Sequence, residues 1–325
     1  MAPLITCMGE ALIDFLPIVE GGRTIGFRMH PGGSLLNVAV AVARLGQPVA
    51  LATKLSNDLF GSFLRSYAVA QGIATHWMVD DAAQSTLAFV AEVDGEPAFG
   101  FYGDGTADTR LTPADLPESL FAETAILHVG SISLLRGSTP AAVLAAVERL
   151  RGRALISIDP NLRPSLVRDE LGYRALLDQL FRLSDLVKIS AADLGWLMPG
   201  VALDAAAQAL LAHGPALVVV TRGGDGVLAA RPGAVLLELP AFRVTLADTV
   251  GAGDSFNAGL LTRLAELGAA TRSGLEQLPA TVLSEVLRFA TAVAALNCTR
   301  PGADPPTRAE VEHFLRHGSM LAAPA

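Results

Sequence analysis

The chain has 325 residues, 51% hydrophobic and 17% charged, which suits one large buried core with an appendage, or two cores, and excludes a disordered chain. Its 24 Lys and Arg against 32 Asp and Glu give a formal charge of −8. No basic tract offsets that field, which argues against nucleic acid as a partner. Cys7 and Cys298 stand far apart in no metal or redox spacing, as expected for structural thiols in a reducing, cytoplasmic setting. Glu10 and Asp14 come early and no apolar run reaches the ~18–20 residues that span a bilayer, so neither a signal peptide nor a membrane partner is expected.

In chain order, residues 4–16 read as a single strand, buried at first and then alternating. Residues 35–46 form an Ala/Val-rich helix ended by Gly46. A strand at 49–55 and a helix at 60–71 closed by Gly72 follow. Between 86 and 102 the pattern is two short strands around Asp94-Gly95, a hairpin turn signal. After about residue 124 the rhythm is βαβ, with strands at 125–130, 154–159, 185–189 and 216–221 and helices at 140–151, 171–183 and 203–213. A hairpin around Pro232-Gly233, helices at 254–267 and 281–297, and a last helix from about 307 complete the chain. This alternation implies a mostly parallel sheet covered on both faces, with ligands at the carboxyl ends of its strands, where Asp159, Thr221 and Asp248 fall. The segments near 12–28 and 85–102 break the rhythm and are expected to form a small separate sheet.

The richest motif is Asp248-Thr-Val-Gly-Ala-Gly-Asp254, where a glycine turn opens a helix and sets a carboxylate in its first turn. Amides at such a helix start favour an anion, and Asp254 is electrostatically at home there. A carboxylate repels phosphate, however, so the residue reads either as an N-cap or as a proton acceptor. Pro31-Gly32-Gly33-Ser34-Leu35-Leu36-Asn37 reads as a turn before a helix, or as a close approach for a polyhydroxyl ligand with Asn37 both donating and accepting. Asp14 reads as a solvated strand end or an acceptor for sugar hydroxyls. Asp159-Pro-Asn-Leu-Arg163 and Thr221-Arg-Gly-Gly-Asp-Gly226 each follow a buried strand and suit phosphate, or a plain loop. The chain has no Gly-x-x-x-x-Gly-Lys-Ser/Thr, no complete dinucleotide fingerprint, no His-Glu-x-x-His and no Gly-x-Ser-x-Gly. His313 and His317 read as a solvated face of the final helix.

In order and spacing, the double glycine with Asn37 and Gly46 and the Asp248–Asp254 turn resemble the ribokinase-like (phosphofructokinase-B type) carbohydrate kinases, over Gly9 to about Leu315. The chain is most similar to the fructokinase branch, through Gly9–Phe15, His128–Leu134 and Asp159–Pro164. The resemblance implies an α/β fold with a three-layer αβα body, a single domain over 1–325, and a β-sheet lid from about 12–28 and 85–102 that often mediates a dimer. It implies transfer of the γ-phosphoryl of MgATP to a sugar hydroxyl. Asp254 matches the catalytic base, and Gly251, Ala252 and Gly253 the anion hole, with Arg163 offsetting phosphate charge. Asp14, Gly32, Gly33, Asn37 and Tyr102 match sugar contacts. Lys188, Ser190, Thr221, Gly223, Gly226, Gly253 and Asn297 match the nucleotide site, with Asn297 bordering the adenine. Asp248 and Val250, with the 300–303 loop, match a monovalent-cation site for K⁺. Asp193 matches an indirect Mg²⁺ contact, although the relatives carry the longer Glu there.

The helix dipole is expected to lower the pKa of Asp254, leaving a weak base that suffices if the proton leaves late. Two departures bear on the substrate. Gly103 stands where relatives carry Arg, which removes a bidentate contact to a carboxylate, and Leu35 and Leu36 replace small residues and are expected to reshape the sugar pocket. Fructose is the expected acceptor. 2-Keto-3-deoxygluconate, a nucleoside or aminoimidazole riboside (through Ala107-Asp108-Thr109), and a catalytically silent binding protein are the alternatives.

Overall fold

In the computed structural model, which describes residues 2–93, 96–234 and 236–318, the first expected strand is two strands in two different sheets. β1 (Leu4–Met8) belongs to a large sheet, and β2 (Leu12–Glu20) to a small one. The break falls at Gly9, whose φ of 153° lies in a region L side chains avoid; a Cβ there would meet Ser133 Oγ at 2.6 Å. Both segments are apolar and extended, so periodicity alone could not register the change of sheet.

β2 returns as β3 (Arg23–Gly32), which feeds α1 (Ser34–Arg44) through Gly33. Then come β4 (Val49–Ser56), α2 (Leu59–Ala70), capped by the Asp58 carboxylate, β5 (Met78–Asp81), β6 (Leu87–Val93) and β7 (Glu96–Tyr102). The turn expected at Asp94-Gly95 lies outside the described residues. The βαβ section runs α3 (Glu118–Glu123), β8 (Thr124–Gly130), α4 (Thr139–Leu150), β9 (Leu155–Asp159), α5 (Glu170–Leu183), β10 (Leu186–Ser190), α6 (Ala191–Leu197), α7 (Leu203–Leu211) and β11 (Leu217–Thr221). The hairpin β12 (Val227–Ala230) and β13 (Leu237–Leu239) precedes α8 (Ala252–Glu266), α9 (Arg272–Gln277), α10 (Ala280–Asn297) and α11 (Arg308–His317).

The large sheet has the order β13-β12-β11-β10-β9-β8-β1-β4-β5, parallel except at the β12 and β13 edge. Alternate residues of each strand enter opposite cores. Leu217 and Val219 pack with α1, α8, α10 and α11, whereas Val218 and Val220 pack with α4, α5 and α7. α10 is the one helix among the described residues long and apolar enough to cross a membrane, and ten of its residues are buried here, many against α8. The second sheet, β3-β2-β6-β7, contains Asp14, which is therefore paired with His30 and Ala88 in this sheet and is not the end of the first strand.

Candidate active site

The site gathers where the parallel strands end. Gly130 is in register with Asp159, and Ser190 with Thr221. Above them α8 begins. Gly251 precedes it with φ 75°, and a Cβ there would lie 2.6 Å from the Ala303 Cβ, so the position needs glycine twice over. Gly253 is helical; its hydrogen leaves room for Lys188 Nζ, which would stand 3.0 Å from a Cβ. The Ala252 N–H is turned to the Thr249 carbonyl at 3.2 Å, so of the three expected anion-hole amides this one is already engaged.

Asp254 is the third residue of α8 and not its N-cap, which is Gly251. Its carboxylate is 7% exposed and accepts the Ser34 hydroxyl at 2.6 Å on Oδ1 and the Asn37 amide at 3.0 Å on Oδ2. Burial pushes its pKa up, opposed by these two bonds, with Asp159 adding repulsion and Lys188 attraction. The expectation of a lowered pKa is thus reversed: desolvation outweighs the helix terminus.

Asp14 faces the same region. Burial lifts it to about 6, against the attraction of Arg163 and with added repulsion from Asp254. Gly32 is where the backbone meets that carboxylate: a Cβ would lie 2.0 Å from Asp14 Oδ2. Gly33, at φ 100°, would press a Cβ to 2.9 Å from the Glu10 carbonyl. Leu35 and Leu36, expected to reshape the pocket, are instead 0% and 1% exposed in the core beneath α1. Tyr102, an expected sugar contact, is corrected by register. It pairs with Leu87 and packs edge-on to Phe89, which pairs with Phe15, so it projects from the face opposite Asp14. Phe101, paired with Ala88, shares the Asp14 face. Its ring fills the space beside Gly103, where a Cβ would meet it at 2.3 Å, and Arg136 lies 5.1 Å from its centroid.

Around the nucleotide candidates, Lys188 is 4% exposed and bonds Asp159 at 2.7 Å; the same Asp159 oxygen accepts Asn257 at 2.7 Å. Ser190 caps α6 by accepting the Asp193 N–H, and burial raises the Asp193 carboxyl, with Asp159 repulsion adding to it. Thr221 ends β11; Gly223 is left-handed in open space, whereas a Cβ on Gly226 would strike the Leu239 carbonyl at 2.0 Å. Asn297, expected beside the adenine, is 0% exposed and donates to the Val250 carbonyl at 2.7 Å, tying α10 to the glycine turn. Asp248 accepts the N–H groups of Val250 and Gly302, which with that of Thr249 outweigh burial and hold it below the usual carboxylate range. Arg163 is exposed, with Nη1 bonded to Asn161 Oδ1 at 2.7 Å.

Sequence reasoning gave no role to Glu10, Ser34 or Asn161. Glu10 is 1% exposed, accepts Ser34 N–H at 3.0 Å and Ser133 N–H at 3.2 Å, and is pushed by burial to about 7. The one signal was a glutamate inside the otherwise uncharged, mostly apolar stretch 4–13, where a charge needs fixed donors.

A parallel sheet with a buried carboxylate at a glycine-opened helix, flanked by a Lys–Asp pair and an exposed Arg, defines a phosphoryl-transfer class of αβα enzyme. Residues 2–310 match the pfkB family carbohydrate kinase, and the chain belongs to that family and is a carbohydrate kinase. It is 38% identical to a fructokinase of Rhizobium leguminosarum bv. trifolii over 261 residues, 80% of this chain and 79% of that one. Its fold is similar to that of Xylella fastidiosa fructokinase with bound ATP (TM-score 0.90, 31% identity, 98% and 99% of the two chains). It is also similar to a Vibrio cholerae fructokinase double mutant in fructose, ADP and potassium ion bound form (0.84, 28%, 97% and 98%). Salmonella enterica aminoimidazole riboside kinase aligns with TM-score 0.83 at 26% identity, over 96% and 99%.

Proposed function

We propose that the chain transfers the γ-phosphoryl group of MgATP to a hydroxyl of fructose, with Asp254 as the proton acceptor. The observation that carries this reading is the Asp254 carboxylate, buried at the start of α8 and held by Ser34 and Asn37 in the neighbourhood of Asp14. Asp14, Asn37 and the bare backbone at Gly32 and Gly33 suit a polyhydroxyl ligand. Lys188, Ser190, Thr221, Gly223 and Gly226 suit the nucleotide, on the carboxyl edge where the fold class binds ligands. Phosphoryl transfer has a loose transition state, so positioning and charge stabilisation dominate. The amides of Gly251 and Gly253 and the Arg163 guanidinium stabilise the transferring group, and Asp254 takes the hydroxyl proton late. Among the described residues no group of three or more His, Cys, Asp and Glu gathers to hold a metal. Mg²⁺ would be carried by the nucleotide phosphates, with Asp193 as the side chain to contact it indirectly, and would neutralise phosphate charge when bound. Asp248, kept anionic by backbone donors, and the Val250 carbonyl are suited to K⁺.

The small sheet serves as a lid on a single domain and as the contact of a homodimer. The two free cysteines, Cys7 and Cys298, fit the cytoplasm. The ring of Phe101 fills the space beside Gly103, and the neighbouring Arg136 guanidinium is already paired with Asp104 at 2.9 Å, which disfavours 2-keto-3-deoxygluconate. Asp108, in the Ala107–Thr109 stretch that carries the aminoimidazole riboside resemblance, is buried and bonded to Thr86 and Thr106 and so is not free to meet a nucleoside, which favours fructose. Retention of Asp254 with its donors argues against a silent binding protein.

The test is ADP release across fructose, 2-keto-3-deoxygluconate, ribose, tagatose and nucleosides, with and without K⁺. Fructose is expected to give the highest kcat/KM, with K⁺ raising it. A nucleoside preference would overturn the substrate, and indifference to K⁺ the cation site. Asp254→Asn is expected to lower kcat by about 10²–10⁴ with nucleotide affinity nearly unchanged; near-normal turnover would remove the base.

A further inference from the structure

We infer that Ser34 and Asn161 are positioning residues for Asp254, forming one directed hydrogen-bond chain that runs from Arg163 to the carboxylate and fixes which of its oxygens takes the proton. The inference rests on the reading of Asp254 as proton acceptor. Arg163 Nη1 donates to Asn161 Oδ1 at 2.7 Å, Asn161 Nδ2 donates to Ser34 Oγ at 3.0 Å, and Ser34 Oγ donates to Asp254 Oδ1 at 2.6 Å. The direction is forced at each link. A guanidinium only donates, so the Asn161 oxygen must face Arg163 and its NH₂ must face Ser34. The Ser34 hydroxyl then receives a donor and has a single proton to give, which goes to the carboxylate.

The links are held from behind. Ser34 is 8% exposed, and its N–H is fixed by the buried Glu10. Asn161 has φ 39°, a left-handed conformation that asparagine tolerates better than most residues, and its own N–H bonds Asp159 Oδ1 at 3.1 Å. Asp254 Oδ1 is therefore occupied by a donor that has no other acceptor. Among the described residues Oδ2 accepts only the Asn37 amide, at 3.0 Å. The proton-accepting atom is then Oδ2, and the Ser34 hydroxyl favours the ionised form in a site whose burial favours the neutral acid. Arg163, at the exposed end, ties the same chain to the phosphate side of the reaction.

The charged and titratable groups around Asp254 are Cys7 on β1, Glu10 after it, Asp14 on β2, Asp159 on β9, Arg163 beyond it and Lys188 on β10. The test is therefore read in kcat at saturating sugar and nucleotide, where binding drops out. Ser34→Ala keeps the N–H bonded to Glu10. It is expected to lower kcat by about 10- to 100-fold, the range for a bond to a charged group, with the sugar KM changed by less than about threefold. The acid limb of the kcat–pH profile should move to higher pH, because a donor to the ionised form is lost. Ser34→Thr should restore both rate and limb. Asn161→Gly, which accepts the left-handed backbone, should shift the limb in the same direction with a smaller loss of rate. Wild-type kcat in Ser34→Ala, or a loss of rate with the limb unmoved, overturns the chain. Asp254→Asn run alongside separates the two readings: an inactive Asp254→Asn with a silent Ser34→Ala removes the chain and keeps the base, whereas an active Asp254→Asn removes both.

Discussion

At the scale of single residues, the site is governed by burial acting on carboxylates that have few positive partners. Asp14 shows this in the simplest form, since it carries no hydrogen bond to an arginine and is lifted by desolvation to about 6, with the attraction of Arg163 only partly offsetting that. A carboxyl raised above its ordinary value is neutral below about pH 6 and charged above it. Its raised pKa favours folding fully only below the unfolded value, a contribution lost as pH rises through about 6. Ligand binding runs the other way, because only the anion accepts two sugar hydroxyls. The sugar KM is expected to rise as pH falls through about 6, with the nucleotide KM unaffected. Asp14→Asn should raise the sugar KM throughout and flatten that dependence. A sugar KM independent of pH between 5 and 8 in the wild type would show that Asp14 does not meet the sugar.

At the scale of elements, the start of α8 concentrates the most constraints. Gly251 combines φ 75° with a Cβ position 2.6 Å from Ala303, in the loop whose Gly302 N–H is held by Asp248. Gly251→Ala is expected to cost about 1–3 kcal/mol from strain, lowering the melting temperature, and to displace the loop that the cation reading needs. Activity should fall and its response to K⁺ should vanish. A variant as responsive as wild type would separate the turn from the cation. The longer helices and most parallel strands were legible because their periods of 3.6 and 2 survive in an apolar sequence, whereas the short β5, α3, α6 and α9 span too few residues to show a period. The change of sheet at Gly9 was not, because a strand that leaves one sheet for another keeps its alternation. The glycine turns were legible as places of close approach, but not what approached: Lys188 at Gly253, Asp14 at Gly32, Phe101 at Gly103. Tyr102 was misread for a related reason, since its residue type suggested a contact while its face depends on a register with β6 that no local pattern encodes. Ser34 and Asn161 lie 220 and 127 positions from the partners they bond, so their roles exist only in the folded chain.

At the scale of the whole molecule, the small sheet has two unlike faces. One carries Asp14 toward the site. The other carries Phe15, Phe27, Phe89 and Tyr102, with Phe15 and Phe89 stacked 4.6 Å apart, Phe27 edge-on to both and Phe15 also edge-on to Phe60 of α2. Tyr102 is 65% exposed and Phe27 41%, both packed on Phe89, and Ile25 at the β2–β3 register shift is 58% exposed, exposed apolar side chains of the kind that mark an interaction site. A second copy of the same sheet is the self-complementary occupant of the proposed homodimer. Because the same strands hold Asp14, the proposed dimer is expected to couple assembly to sugar binding through the sheet. The double substitution Ile25→Asp and Phe27→Asp is expected to convert a dimer into a monomer by light scattering, since burying two carboxylates against a like surface is strongly unfavourable. The monomer should keep its nucleotide KM, because the nucleotide candidates lie on the large sheet, while its sugar KM rises. A wild-type chain that is monomeric at micromolar concentration, or a variant that stays dimeric, would refute assembly through this face; a monomeric variant with an unchanged sugar KM would show that the sheet holds Asp14 without help from the partner.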